Sequence, residues 1–133
     1  MKLLITGSRK FNDSTALAEA IKKVEELQGI KITMLLHGGA IGADTLAQNR
    51  ADENKSPTQA LKPDYKKHGG KIAPLLRNIE LVKLTDCTLA LYSKNRTGGT
   101  WYTSQKTIEA KKPLYEYMTS KELIYTPPVQ SLF

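Results

Sequence analysis

Short apolar segments alternate along this chain with longer segments in which apolar residues recur every three or four positions. The short segments predict five strands, at residues 2–6, 32–37, 58–61, 88–92 and 113–117. The longer segments predict four helices, which lie before Gly29, between residues 38–42 and Ser56, from Pro74 to Asp86, and over residues 100–111. Strands that alternate with helices indicate a three-layer α/β/α sandwich around a mostly parallel sheet, because a pair of parallel strands needs a long crossover connection.

Two of the helices have an apolar stripe that we expect to face the sheet. In the first helix the stripe consists of Leu17, Ile21, Val24 and Leu27. In the third helix it consists of Leu75, Leu76, Ile79 and Val82. Asp13 precedes the first helix and is a good N-cap, and Gly29 supplies its end.

The chain has 133 residues, which fits a single domain. We predict this domain over residues 1–117 and a C-terminal tail with a short helical turn over residues 118–133. The composition, 40% apolar and 25% charged, is typical of a globular protein. The one cysteine, Cys87, excludes a disulfide within the chain and a cysteine-rich zinc site. No apolar run reaches the roughly 18 residues that span a bilayer. We therefore expect a cytoplasmic protein with no membrane partner.

Three predicted strands end in loops of small residues that precede a helix. These loops are residues 6–9 (TGSR), 37–44 (HGGAIGAD) and 97–100 (TGGT). In a parallel sheet they lie at the carboxyl ends of the strands, where ligands bind in this fold class. Glycines let backbone N–H groups approach a ligand, a helix N-terminus attracts an anion, and Ser8, Thr97 and Thr100 add hydroxyl donors. Tight turns explain any one of these loops, but the three together with Arg9 predict a ligand that carries phosphate.

The basic residues are concentrated in the same loops and in a fourth one, residues 63–78. The formal net charge is +7. Segments 7–11, 38–44, 64–78 and 93–100 contain eight of the 20 Lys and Arg residues but two of the 13 Asp and Glu residues. Lys66 and Lys67 are typical of a solvated surface, whereas Arg77 and Asn78 point toward the predicted ligand edge. A compact basic rim favours a small phosphorylated ligand over a long polyanion.

Several other kinds of site are excluded. No Gly-Lys-Ser/Thr and no GxGxxG follows the first strand at the required spacing. The two histidines lack matched carboxylates, so we expect no metal, and no cofactor is indicated. Asp44 either contacts a ribose hydroxyl or caps its helix, and His37 either contacts the ligand or bonds within the protein. Trp101 and Tyr102 are both candidates to stack on a nucleobase, with packing of Tyr102 on the sheet beside Ile108 as the alternative. Trp101 is the better candidate because it lies off the register of Tyr102 and Ile108.

Four blocks of this sequence resemble the YspA-like branch of the SLOG superfamily. They are TGSR at 6–9, HGGAIGAD at 37–44, PDYKKHGGKIAPLLRN at 63–78 and GGT at 98–100, and the resemblance spans residues 1–117. The superfamily also contains the LONELY GUY phosphoribohydrolases, the DNA-processing protein A and TIR-associated sensors of cyclic ADP-ribose signals. The resemblance implies a Rossmann-like fold, a nucleotide-related ligand on the glycine loops, and self-association as a homodimer or a larger homo-oligomer.

The LONELY GUY enzymes cleave the N-glycosidic bond of nucleoside 5′-monophosphates with an arginine and a glutamate. Arg77 matches the arginine, but Thr103 stands at the position of the glutamate. Without that carboxylate we see no group that would stabilise an oxocarbenium-like centre or activate water. The resemblance therefore leaves enzyme activity open, with Arg77 as the catalytic candidate.

Pattern and resemblance together predict a domain that binds a nucleotide or a nucleotide-derived molecule, of the ADP-ribose or cyclic ADP-ribose type. It would act as a stand-alone sensor or as a sequestering protein in phage–host conflict. The alternatives are a LONELY GUY-like phosphoribohydrolase and a single-stranded nucleic-acid binder. The predicted ligand-binding residues are Gly7, Ser8, Arg9, His37, Gly38, Gly39, Ala40, Gly42, Ala43, Asp44, Lys71, Arg77, Asn78, Ser93, Gly98, Gly99, Thr100 and Trp101.

Overall fold

The computed structural model describes residues 1–96 and 98–128 and confirms the predicted fold class. The elements of this part are, in chain order, β1 (Lys2–Gly7), α1 (Ser14–Gln28), β2 (Met34–His37), α2 (Ala43–Glu53), β3 (Thr58–Ala60), α3 (Ala73–Leu84), β4 (Cys87–Leu91), α4 (Gly98–Glu109), β5 (Leu114–Tyr117) and β6 (Leu123–Thr126). The strands form one sheet in the order β3-β2-β1-β4-β5-β6. The first five strands are parallel, and β6 is antiparallel to β5.

The helices cover both faces of the sheet, two on each face. Leu3 of β1 packs with buried residues of α1 and α2. Leu4, the next residue along the strand, points to the opposite face and packs with Leu81 of α3. On that same face Ala90 of β4 packs against Ile108 of α4. The result is a Rossmann-like three-layer sandwich.

The ends of α1 follow from its sequence. Asp13 accepts a hydrogen bond from the backbone N–H of Ala16 at 3.0 Å, as an N-cap does. Gly29 follows the last turn in the left-handed conformation, with φ at 66°. The predicted burial of Leu27 is wrong, because this side chain is 56% exposed. Leu27 lies three residues after the buried Val24, in the last turn of α1, where Gln28 is the residue that reaches the sheet through a hydrogen bond to Tyr115 Oη.

The sheet-facing side of α3 differs from the predicted stripe. The half-buried members of that stripe are Leu75, Leu76 and Ile79. The buried residues are Val82, which the stripe included, and Ala73 and Leu81, which it did not. Arg77 lies four residues from both Ala73 and Leu81, and therefore on the same face of the helix. Its guanidinium donates to backbone carbonyls of neighbouring loops, and these bonds fix the rotation of α3 about its axis.

The prediction for residues 118–133 is wrong over the part that the structure describes. Residues Leu123–Thr126 form β6, which extends the sheet beyond β5, instead of belonging to a tail with a helical turn. The rings of Tyr115 and Tyr125 stack across this strand pair, with centroids 4.6 Å apart and planes at 16°. The domain therefore continues past residue 117 at least through β6, and residues 129–133 lie outside the described part.

Candidate ligand-binding site

A cavity of about 690 Å³ opens at the carboxyl edge of the sheet. It lies over β1 and β4, which are neighbours in the sheet. From this point the chain continues to β2 and β3 on one side and to β5 and β6 on the other. Open α/β sheets bind ligands at such a switch point, and the volume is in the range of small-molecule sites. The cavity is therefore the candidate functional site.

Most of the residues predicted from the sequence line this cavity. Those that do are Gly7, Ser8, Arg9, Gly38, Ala40, Asp44, Lys71, Arg77, Asn78, Ser93, Gly98, Gly99 and Thr100. The predicted residues outside the lining are His37, Gly39, Gly42, Ala43 and Trp101. Thr97, which the sequence also suggested as a donor, lies outside the described residues.

The loop between β2 and α2 holds an internal anion. The Oδ2 atom of Asp44 accepts hydrogen bonds from the backbone N–H groups of Gly38 and Ala40, both at 3.1 Å. The N–H of Gly39 donates to Nδ1 of His37 at 3.0 Å. Three successive N–H groups are thus engaged by side chains of the protein itself. This corrects the expectation that the glycines of residues 38–42 present these groups to a phosphate.

Asp44 is nearly buried, with 7% of its surface exposed. Burial raises the pKa of its carboxyl, while the hydrogen bonds from Ala40 and Gly38 and the charge of Arg77 act in the opposite direction. Of the two roles left open by the sequence, the geometry favours the structural one. The carboxylate closes the loop at the start of α2, where the helix dipole also favours a negative charge.

His37 bonds within the protein through both ring nitrogens. Its Nε2 lies 2.7 Å from Oε1 of Gln48, and its Nδ1 accepts from Gly39. These partners fix the neutral tautomer with the proton on Nε2, which donates to Gln48. The side chain is 3% exposed. The structure therefore gives His37 a structural role and does not bring it into the cavity.

Arg77 reaches the cavity from the first turns of α3. Its Nη1 donates to the carbonyl oxygens of Gly38 and Leu61, at 2.6 Å and 3.3 Å, and its Nε donates to Oδ1 of Asn78 at 2.8 Å. The N–H groups of Nη2 have no acceptor among the described residues. Burial lowers the pKa of Arg77 and the charge of Asp44 raises it, but a guanidinium stays charged throughout. The protein thus bonds Nε and Nη1 of the arginine, whereas Nη2 is bonded to none of the described residues.

A second part of the wall is made by the loops that follow β1 and β4. The hydroxyl oxygens of Ser8 and Ser93 lie 2.8 Å apart, and the N–H of Lys10 donates to Ser8 Oγ at 3.1 Å. The N-terminus of α4 stands beside them, with Gly98 and Gly99 in the cavity wall. Its first turn contains no acidic residue. The unneutralised dipole of α4 is therefore directed at the cavity.

Thr103 occupies the position at which the resemblance implies a glutamate. Its side chain is 1% exposed, and its hydroxyl donates to the carbonyl oxygen of Gly99 at 2.9 Å. Threonines often bond back to the preceding turn in this way. The hydroxyl that replaces the carboxylate is thus already used within α4.

Sequence reasoning missed the floor of the cavity. Leu4 and Leu81 lie there with Leu75 and Pro74. Apolar residues at strand and helix spacing indicate core, so no signal in the sequence marked them as part of a site. Lys10, Lys94 and Asn95 also line the cavity, and only their place in the basic loops pointed to them. The site combines an apolar floor with a polar, basic rim.

The basic rim is smaller than the four loops suggested. The cationic residues that line the cavity are Arg9, Lys10, Lys71, Arg77 and Lys94. Lys66 and Lys67 lie outside the lining, as expected of a solvated surface. Arg96 is paired with Glu116 instead, at 3.4 Å. Among the described residues of the lining, Asp44 is the one carboxylate.

Other reactive groups contribute little to this picture. Burial raises the pKa of the Cys87 thiol to about 12, in agreement with its prediction as a core residue. Within residues 1–96 and 98–128, no three His, Cys, Asp or Glu side chains are grouped as metal ligands. In the same part of the chain, every helix is too short or too polar to span a membrane.

The fold and the cavity define a Rossmann-like domain with a candidate ligand site at its switch point. The sequence matches the family described as YspA, cpYpsA-related SLOG family over residues 1–68. It is also 32% identical over 122 residues to the "Gene 61 protein" of Mycobacterium phage D29, a match that covers 87% of this chain and 95% of that one. No solved structure matches. The chain belongs to the YspA, cpYpsA-related SLOG family, as the sequence blocks had indicated.

Proposed function

We propose that this protein binds a nucleotide or a nucleotide-derived small molecule, of the ADP-ribose or cyclic ADP-ribose type, in the cavity at the switch point. The observation that carries the proposal is the composition of the cavity wall. Five cationic side chains and the N-terminus of α4 surround it, against one carboxylate that is already bonded to backbone N–H groups. Family membership supports a nucleotide-related ligand.

The phosphate groups have a preferred place in this cavity. Three N–H groups of the β2–α2 loop, those of Gly38, Gly39 and Ala40, are bonded to Asp44 and His37. The phosphates then lie at the N-terminus of α4, between the β1–α1 and β4–α4 loops, and within reach of Arg77. The apolar floor at Leu4 and Leu81 suits the face of a nucleobase.

Binding is favoured over N-glycoside hydrolysis because the carboxylate in the cavity wall and the hydroxyl at the position of the glutamate are both bonded within the protein. The carboxylate of Asp44 accepts two backbone hydrogen bonds, and the hydroxyl of Thr103 donates to Gly99. A general acid or base must reach the reacting atoms of the ligand. The phosphoribohydrolase and the nucleic-acid binder are therefore kept as outcomes of the test.

The biological setting is suggested by the relative from a mycobacteriophage. A small binder without a catalytic carboxylate in its site can sequester a signal nucleotide by holding it. A sequestering or sensing role in phage–host conflict is the form of the proposal that fits this relative.

Thermal unfolding in the presence of ADP-ribose, cyclic ADP-ribose isomers, ADP, AMP and adenosine tests the proposal. A probe present at 100 times its Kd adds about 2.7 kcal/mol to the free energy of unfolding. Lys94→Glu, in the cavity wall, should remove the shift for the phosphorylated probes. Lys23→Glu makes the same charge change on the exposed side of α1 and should leave it intact.

The same samples separate the alternatives. Release of free base from AMP, followed by chromatography, would establish the hydrolase. Affinity for single-stranded oligonucleotides that grows with their length and falls steeply with salt would establish the nucleic-acid binder. If none of the nucleotides stabilises the protein, the proposal is wrong.

A further inference from the structure

One residue, Gly38, links the two oppositely charged side chains in the cavity wall. The N–H of Gly38 donates to Asp44 Oδ2 at 3.1 Å, and the carbonyl oxygen of the same residue accepts from Arg77 Nη1 at 2.6 Å. Asp44 therefore binds the N–H of this loop from α2, and Arg77 binds its carbonyl oxygen from α3. The second bond from Ala40 to the same carboxylate oxygen prevents the loop from pivoting about a single contact.

The arginine depends on this loop for its orientation. An arginine side chain has several rotatable bonds, and its planar fork recognises a phosphate only when its N–H groups are aimed correctly. Nη1 is aimed by the carbonyls of Gly38 and Leu61, and Nε is aimed by Asn78. These bonds leave Nη2 as the group that can meet a ligand.

We infer that Asp44 is a positioning residue, which fixes the Gly38–Ala40 loop so that this loop in turn aims the guanidinium of Arg77 at an anionic group in the cavity. The relevance of that orientation to ligand binding rests on the proposed function. The role differs from the ribose contact that the sequence left open, because Asp44 then acts on phosphate recognition without touching the sugar. It also differs from simple electrostatics, because a carboxylate near the site would by itself weaken the binding of an anion.

The test compares ADP with adenosine, which lacks the phosphates, by titration calorimetry. Asp44→Asn removes the charge that strengthens both hydrogen bonds from the loop, since the remaining amide oxygen can accept them only as neutral bonds. We expect ADP to bind about tenfold more weakly, as for the loss of a charge-assisted hydrogen bond, and adenosine to bind as before. Glu53→Gln makes the same change of charge at the exposed end of α2 and is the matched control.

A double-mutant cycle shows whether the effect passes through the arginine. In an Arg77→Met background, Asp44→Asn should cause no further loss of ADP affinity. Gly38→Ala perturbs the same contact from the other side, because a Cβ at this position would overlap the guanidinium of Arg77. It should reproduce the ADP-specific loss, and it serves if Asp44→Asn does not fold.

A second measurement needs no ligand. In ¹⁵N-resolved NMR spectra, the Nε–H signal of Arg77, assigned by its loss in Arg77→Lys, should exchange slowly with water in the wild type. Nε and Nη1 belong to one planar guanidinium, so a looser Nη1 bond to Gly38 should also weaken the Nε bond to Asn78. The Nε–H should therefore exchange about tenfold faster in Asp44→Asn and in Gly38→Ala. If the wild type binds neither ADP nor adenosine, the proposed function fails, and this exchange rate alone decides on the positioning role.

Four results would overturn the inference. Equal losses for ADP and adenosine would indicate a ribose contact, and tighter ADP binding in Asp44→Asn would indicate simple charge repulsion. A loss of ADP affinity that persists in the Arg77→Met background, or an unchanged Nε–H exchange rate in both variants, would show that Asp44 does not act through the arginine.

Discussion

Replacement of Gly42 by alanine tests whether the two glycine loops beside the cavity are held together by a close backbone contact. Gly42 precedes α2 with φ at 84° and ψ at −125°, a region that is open almost only to glycine. A Cβ at this position would lie 2.6 Å from the carbonyl oxygen of Arg9 and would overlap that of Ser8. Both atoms belong to the backbone, so the β1–α1 loop itself would have to move.

Gly29 supplies the matched control, because it shares the positive φ but not the contact. Its φ is 66°, and a Cβ there would have no neighbour within 4 Å. Gly29→Ala should therefore cost only the strain of a left-handed alanine, about 1 kcal/mol. Gly42→Ala places an alanine in a still less accessible conformation and also displaces the β1–α1 loop. It should therefore lower the free energy of unfolding by about 3–5 kcal/mol.

Urea unfolding followed by circular dichroism measures both free energies. For a domain of this size, each kcal/mol in the free energy of unfolding also corresponds to about 4 °C in Tm. Thermal unfolding should therefore resolve the two variants as well. Gly42→Ala should also weaken ADP binding, since Ser8 and Arg9 lie in the cavity wall. Equal costs for the two substitutions would refute the claim that backbone contact between the loops stabilises the site.

Four further predictions concern the rest of the molecule. Lys112→Met should lower the free energy of unfolding by about 2 kcal/mol. The reason is that Lys112 Nζ donates to three carbonyls at the end of α3, at 2.7–3.0 Å. Lys111→Met, at the exposed neighbouring residue, is the control and should change this free energy little. Cys87 should react with a maleimide only after unfolding, since burial raises the pKa of its thiol to about 12. Burial also raises the pKa of Asp44, so the folded protein binds a proton at higher pH than the unfolded chain. The stability of the wild type relative to Asp44→Asn should therefore grow as the pH is lowered from 7 to about 4, in urea titrations. Self-association, which the family resemblance implies, is expected as a homodimer or larger species in sedimentation velocity runs.

The sequence predicted the elements whose apolar pattern is set by burial on the sheet. β4 is buried along its whole length, and a continuous apolar run is what such a strand requires. β6 was missed because it is an edge strand whose residues are half-buried or exposed, so that no alternation marks it. The face of α3 was misjudged because a half-buried arginine, bonded to carbonyls, lies on the side that faces the sheet.

The site was predicted as a set of loops, but not as a set of contacts. The position of a loop at the carboxyl edge follows from strand direction, which the alternation of elements predicts. Which N–H groups remain available depends on where one side chain lies. An aspartate after a glycine loop fits a ligand contact and a cap equally well, and the two differ only in the orientation of the Asp44 carboxylate.

This orientation decides where an anion can bind, because two helix N-termini with different charge meet at the cavity. Asp44 lies in the first turn of α2 and neutralises the positive end of that helix. The first turn of α4 has no acidic residue, so its positive end remains available. Arg77 lies between them, tied to the loop that Asp44 has closed. Under the proposed function, the phosphate of the ligand is therefore expected at the α4 end of the cavity and its apolar ring at the other end, because the helix dipole is neutralised at α2 but not by a carboxylate at α4.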